Sequence, residues 1–276
     1  MSQEESESTA RPAKVLAVVN QKGGVGKTTT AINLAASLAL LGHSILLIDC
    51  DPQANTTGGL GLRRQKPDEP QRLSIYDVLL GPTTVTEATL STRVEKLAIV
   101  PGSKNLIGAN IELVSAERRE FRLRDALESV RSSYTFIVLD CPPALDLLTL
   151  NALVAADGLL VPLQAEYFAL EGISELISTL DRVAQAFNPE LALEGVLLTM
   201  YDDRTILAQQ VTQNLREFFG DKLLRTTIPR NIRLAEAPSH GLPVALYDPR
   251  SRGAEAYAEL ARELLERNQL TPAEPV

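Results

Sequence analysis

Residues 15–29 read Val15-Leu16-Ala17-Val18-Val19 and then Asn20-Gln21-Lys22-Gly23-Gly24-Val25-Gly26-Lys27-Thr28-Thr29, and this stretch decides the fold. Five apolar residues in a row predict a strand covered on both faces. The glycines that follow let backbone N–H groups turn toward one point. The apolar period over Lys27–Leu41 predicts a helix whose N-terminus adds positive dipole at that same point. Strand, glycine loop and helix together describe a phosphate cradle, in which Lys27 reaches β- and γ-phosphates and the Thr28 hydroxyl can ligate Mg²⁺. The ordinary GxxxxGK[ST] spacing asks for glycine at position 21. This chain has Gln21 there and opens its loop with a second lysine, Lys22, so the match is to a KGGxGKT variant.

Working outward, further apolar runs predict buried strands at Ile45–Ile48, Leu97–Val100, Phe136–Leu139, Leu159–Val161, Val196–Leu198 and Leu223–Ile228. Between them lie amphipathic stretches. Leu170, Ile173, Leu176, Ile177, Leu180, Val183, Ala184 and Phe187 share one helical stripe, which Asn188-Pro189 closes. Ile206–Phe219 and Glu255–Leu265 repeat that period. Strands alternating with helices predict a single-domain α/β fold, a mainly parallel twisted sheet with helices on both faces, spanning residues 14–268. Gly61–Glu69 and Gly81-Pro82 read as loops. The polar segment 1–13, with Glu4, Glu5 and Glu7, is expected to be a disordered acidic arm, and 269–276 a frayed tail.

Composition narrows the function. The chain has 276 residues, 45% hydrophobic and 22% charged, which excludes a disordered or disulfide-scaffold protein. Net charge is −8, so no overall positive field draws it to nucleic acid or anionic lipid, and the absence of Trp with 4% aromatics argues against base-stacking platforms. The acidic start lacks the positive charge and apolar run of a secretory leader, and no window is long and apolar enough to span a bilayer. A cytosolic chain is expected. Cys50 and Cys141 sit outside CxxC or Cys/His spacings and read as small buried hydrophobes with reduced thiols.

Beyond the cradle, several segments carry a family resemblance. Asp49-Cys50-Asp51-Pro52-Gln53 resembles a DxDPQ segment, and Leu139-Asp140-Cys141-Pro142-Pro143 a Walker B strand end. Pro162–Tyr167 with Leu170-Glu171-Gly172, Leu198–Asp202 with Arg204-Thr205, Ile228–Leu234, Glu236–Ser239 and Pro249–Gly253 continue it in order. The resemblance is to the chromosome-partitioning ParA proteins, also called Soj, within the ParA/MinD class of P-loop ATPases with a deviant Walker A loop. It implies a Mg²⁺-dependent ATPase that is slow alone. An ATP-bound sandwich homodimer would bind double-stranded DNA without sequence preference. A ParB-type centromere-binding partner would stimulate hydrolysis and release, driving chromosome or plasmid segregation in the cytoplasm, on the nucleoid.

The resemblance also assigns roles. ATP would be held by Lys22, Gly23, Gly24, Val25, Gly26, Lys27, Thr28 and Thr29, with Pro229 and Asn231 against the adenine; Asn231 could equally cap the next helix. Lys27 would serve the phosphates of its own subunit, while Lys22 would reach the ATP of the partner subunit or else be a solvated loop lysine. Asp51 would orient the attacking water. Thr28, Asp51 and Asp140 form the candidate Mg²⁺ set. Asp140 ends an apolar run, a costly place for an unpaired carboxylate, and holds Mg²⁺ through water unless it is a helix cap before Pro142. Asp49 either joins the Mg²⁺ shell or binds the turn.

Between Arg204 and Arg252 eight basic residues face four acidic ones, a net of +4 in a chain of net −8. That asymmetry suggests one basic face, and the family resemblance directs it to DNA through Arg204, Arg225, Arg230 and Arg233. The alternative is a membrane-cycling ATPase of the MinD type, which needs a basic amphipathic helix at the C-terminus. Here that helix carries Glu255, Glu259, Glu263 and Glu266 against Arg262 and Arg267, so no membrane partner is expected. Metal-cluster chemistry would need bridging cysteines, and an N-terminal helix-turn-helix would need more than the 13 residues before the first strand.

Overall fold

Side chains of an extended strand alternate between two faces, and the strands here are apolar at both parities. In the computed structural model, which describes residues 12–62, 71–166 and 169–272, this places the sheet between two cores. On β1 (Lys14–Val18), Val15 and Ala17 join one core while Leu16 and Val18 join the other. The remaining strands are β2 (Ile45–Asp49), β3 (Leu90–Ser91), β4 (Leu97–Val100), β5 (Phe136–Asp140), β6 (Gly158–Gln164), β7 (Ala192–Tyr201) and β8 (Leu223–Pro229). They form one sheet in the order β3-β4-β2-β5-β1-β6-β7-β8. Every pairing is parallel except β3 with β4.

Helices Lys27–Leu40 and Arg252–Arg267 fill one core, and Leu147–Ala155, Ala169–Ala186 and Ile206–Phe219 face the other. The parallel α/β sheet with both faces covered is therefore the architecture the sequence predicts. Strand Leu97–Val100 and helix Ile206–Phe219 fall on their expected bounds, and the other elements shift by a few residues at their ends. The period reading does not find β3, which is only two residues long. It also does not find the short helices between β2 and β5. Two of those had a visible signal, a capping box: at Ile75–Leu80 the Ser74 N–H and hydroxyl both donate to Asp77 Oδ2 at 2.8 Å, and at Val85–Ala88 the Thr84 N–H and hydroxyl both donate to Glu87 Oε2 at 2.8 Å.

Edge strand β8 is blunted from outside the sheet. The buried Glu263 carboxylate accepts the backbone N–H groups of Arg225 and Thr226, each at 2.9 Å, which removes two donors a foreign strand could use. Residues 269–271, the start of the expected tail, make hydrogen bonds to the fold. Leu270 N–H donates to Leu265 O, and the Thr271 carbonyl lies 3.0 Å from His43 Nε2. Most of the expected acidic arm and of the Gly61–Glu69 loop lies outside the described residues, as does the end of the tail. No described helix is long and apolar enough to cross a membrane.

Candidate functional site

The chain leaves β1, the middle of the sheet between β5 and β6, and turns at its carboxyl end. Open α/β sheets bind ligands at that edge. Gly24 and Gly26 have φ of +75° and +89°, left-handed values that a side-chain-bearing residue adopts only with strain. Gly26 is the N-cap of helix Lys27–Leu40, and no side chain caps that terminus, so its first N–H groups face the loop. The loop is fixed from behind. The buried Thr199 hydroxyl donates to Val25 O at 2.7 Å, Gln164 Nε2 to Gly24 O at 3.1 Å, and Asn20 Nδ2 to Pro162 O at 2.8 Å. Lys27 is buried and its ammonium donates to Lys22 O at 3.0 Å. Burial lowers its pKa, while Asp140 and Asp51 pull it back up.

Parallel pairing puts Asp49 of β2 directly beside Asp140 of β5. The two carboxylates are put to different uses. Asp140 Oδ2 accepts the hydroxyls of Thr28, at 2.9 Å, and Thr56, at 2.6 Å, whereas its Oδ1 is buried with no partner among the described residues. Burial and the neighbouring Asp49 push its pKa up to about 7. Asp140 thus stands at the head of the phosphate cradle rather than as a helix cap. Asp49 has both oxygens engaged: Oδ2 by the Thr57 N–H and hydroxyl at 2.8 and 2.6 Å, and Oδ1 by the Asp51 N–H at 3.3 Å. A Cβ on Gly102 would fall 2.8 Å from the Asp49 Cγ, so the backbone closes over it. Of the two uses the sequence left open for Asp49, the geometry fits the turn.

Asp51 is buried, and its Oδ1 accepts the Gln53 N–H at 2.8 Å. Its field acts on both Lys27 and Asp140. Lys27, Thr28, Asp51 and Asp140 are therefore gathered at one place. Hard oxygen donors of this kind suit Mg²⁺, and a buried carboxylate oxygen with no partner is what a bound cation or its water would satisfy. Gly23 and Gly24 have nothing within 4 Å of where a Cβ would stand, which leaves the cradle open to a phosphate chain.

On one side of Gly26 and Thr29 lies a cavity of about 310 Å³, lined by Thr199, Met200, Pro229, Asn231 and Tyr257 among others. That volume is within the range of small-molecule pockets. Pro229 and Asn231 both reach it, and Asn231 also caps the next helix, its Oδ1 accepting the Arg233 N–H at 2.8 Å. Tyr257, wholly buried beneath the cavity, has its hydroxyl 3.1 Å from Thr30 Oγ1. Lys22, in contrast, is exposed, and its ammonium pairs with Glu166 at 2.5 Å.

The four arginines do not share one face. Register pairs Tyr201 with Pro229, so Arg204 and Arg230, just past β7 and β8, meet at the carboxyl edge, and Arg230 lies close enough to act on Asp202. Arg233 follows on the next helix and pairs with Glu236 and Asp248 at 2.8 and 3.1 Å. Arg225 lies near the start of β8, about 13 Å back along the strand, and pairs with Glu263 and Glu266 near the end of the last helix. Arg225 thus stands apart from the other three along the strand direction. Cys50 and Cys141 are buried and belong to one core, where burial pushes both thiols up.

Sequence reasoning assigned no role to Thr56, Thr57, Thr199 or Tyr257. Thr56 and Thr57 had one signal, their place three and four residues after the end of the DxDPQ segment. Thr199 lies in the Leu198–Asp202 family segment, but nothing local gives its partner, which is 174 residues away.

With this geometry in hand, similarity to known proteins becomes interpretable. An AAA-domain family profile matches residues 13–193. Over 263 residues the chain is 50% identical to the chromosome partitioning protein ParA of Caulobacter vibrioides, covering 95% of this chain and 97% of that one. It is 52% identical over 251 residues to the sporulation initiation inhibitor protein Soj of Bacillus subtilis, covering 91% and 98%. Among solved structures, a Mycobacterium smegmatis protein described as cobyrinic acid a,c-diamide synthase with bound ADP and magnesium aligns with a TM-score of 0.79. It is 35% identical and covers 95% of this chain and 100% of that one. Identity at this level over nearly the whole length, on a parallel sheet whose central strand opens into a two-lysine phosphate loop, establishes that the chain belongs to the ParA/Soj family of chromosome-partitioning P-loop ATPases.

Proposed function

We propose that the chain is an ATP-driven switch for DNA partitioning, cytoplasmic and nucleoid-associated: an ATP-bound homodimer binds duplex DNA without sequence preference, and hydrolysis, stimulated by a ParB-type partner, releases it. The observation that carries the nucleotide half is the Thr28–Asp140 pair beside Lys27, with one buried Asp140 oxygen left unpartnered. Bound Mg²⁺ would supply charge neutralisation at the β- and γ-phosphates. Thr28 and Asp140 would hold it. Lys27 would exchange its bond to Lys22 O for the phosphates. The N–H groups of Gly23 to Thr29 and the helix terminus take the remaining oxygens. Asp51 has one oxygen committed to Gln53 and the other to orient a water. The cavity at Pro229 and Asn231 takes the base.

Lys22 would serve the nucleotide of the partner subunit, so that the charge around the phosphates is complete only in the dimer. Partitioning relatives match at 50% and 52% against 35% for the synthase-described chain, which favours partitioning over amide synthesis. The acidic last helix does not favour a lipid surface. The test is binding to random-sequence duplex DNA with ATP, with ADP and without nucleotide across a salt series. Binding that requires ATP and weakens steeply with salt supports the switch. Equal binding in all three states, or none, overturns the DNA half and leaves the ATPase reading standing.

A further inference from the structure

Arg204 is one of the most exposed cations at the carboxyl edge of the sheet, with 84% of its side chain accessible, yet it is not free. Its guanidinium makes a two-pronged pair with Asp202, Nε to Oδ1 at 2.8 Å and a terminal nitrogen to Oδ2 at 2.6 Å. This planar, two-bond geometry is the one in which arginine recognises a phosphate. Asp202 is itself held in place: Oδ1 also accepts the Arg204 N–H at 3.1 Å, and its carbonyl caps the turn into helix Ile206–Phe219 through Thr205. The clamp is therefore built into the turn. Arg233 is also paired, with one contact to each of two carboxylates, Glu236 and Asp248, while Arg230 has no ion pair among the described residues.

We propose that Asp202 is a built-in competitor for the DNA phosphate that Arg204 would bind, so that docking exchanges one carboxylate for one phosphate instead of engaging a free arginine. This rests on the DNA-binding reading above and deepens it. A face made of clamped arginines binds weakly as a monomer and lets go readily once a dimer falls apart, which a cycling protein needs. Asp202 acts through Arg204 and is a positioning residue.

Asp202→Asn removes the charge and keeps an oxygen for the Arg204 N–H, so the turn is retained. The pair is exposed and worth little in water, so opening it is expected to tighten ATP-dependent binding to random duplex DNA by up to about 5-fold per protomer and up to about 25-fold per dimer. Arg204 ends on a phosphate in wild type and variant alike, so the salt slope should change by less than the roughly 0.9 that an additional phosphate contact per protomer would bring. Asp202→Glu should fall near the wild type.

A cycle with Arg204→Ala separates the clamp from general charge. The gain from Asp202→Asn should largely vanish in the Arg204→Ala background. An equal gain in both backgrounds would mean that Asp202 acts only as a distant negative charge, and that overturns the proposal. No gain in either overturns it as well. If wild type binds DNA and Arg204→Ala binds equally, the proposal falls while the DNA reading survives on other residues. If neither wild type nor Asp202→Asn binds DNA with ATP, the DNA reading falls and takes the clamp with it.

Discussion

Replacing Asp140 with asparagine is expected to stabilise the metal-free protein at pH 8 while abolishing hydrolysis. Burial and Asp49 raise the Asp140 pKa from 3.8 to about 7. At about 1.4 kcal/mol per unit, holding this carboxylate ionised in the fold costs about 4 kcal/mol. The sign follows from proton binding. Between about pH 4 and pH 7 the folded state holds a proton that the unfolded chain has lost, so stability falls as pH rises and levels off above pH 7. Asp49, raised to about 6, acts in the same direction and titrates together with Asp140, so the comparison of wild type with variant reports the pair. Asparagine keeps an oxygen for the Thr28 and Thr56 hydroxyls but places an NH₂ where Oδ1 has no partner, a loss of about 1–3 kcal/mol. The balance is a gain of about 1–3 kcal/mol at pH 8, shrinking toward pH 6. Urea unfolding in EDTA from pH 6 to 8.5, above the pI of 5.0, measures it. With Mg²⁺ and ATP the order should reverse, because only the wild type gains ligand-linked stability. A variant less stable than wild type at pH 8 in EDTA would refute the reasoning: Asp140 would then be a satisfied structural carboxylate and not a charge awaiting a cation.

Lys22→Ala should leave ATP binding largely intact but abolish ATP-dependent dimerisation in sedimentation experiments; an unchanged dimer would remove Lys22 from the partner's site. Asp51→Ala should accumulate an ATP-bound dimer with turnover lowered at least tenfold, and normal turnover would place the water elsewhere. Thr199→Val deletes the hydroxyl that donates to Val25 O and leaves that carbonyl unpaired, so unfolding free energy should drop by about 1–3 kcal/mol and nucleotide affinity with it. Unchanged affinity in that variant would mean that the loop holds its shape without β7.

Much of this protein was legible in residue order because the signals are local. A buried parallel strand must be apolar on both faces, so Val15–Val19 and its counterparts stand out. A phosphate loop must change backbone hand where only glycine does so without strain, so Gly24 and Gly26 mark it. The family segments carried Lys27, Thr28, Asp51 and Asp140 to one site, and the fold gathers them there.

What only the tertiary structure decided are the pairings between distant segments. Register sets Asp49 beside Asp140, and the neighbours on each side give one a closed turn and the other an open oxygen, although in sequence both are an aspartate ending an apolar run. Thr199 reaches Val25 across 174 positions. Arg225 stands close to Arg230 in sequence yet lies toward the other end of its strand, where Glu263 and Glu266 of the last helix pair with it. Composition counts charges; it cannot say which are already spoken for, because an ion pair depends on separations of a few ångströms that the fold alone sets.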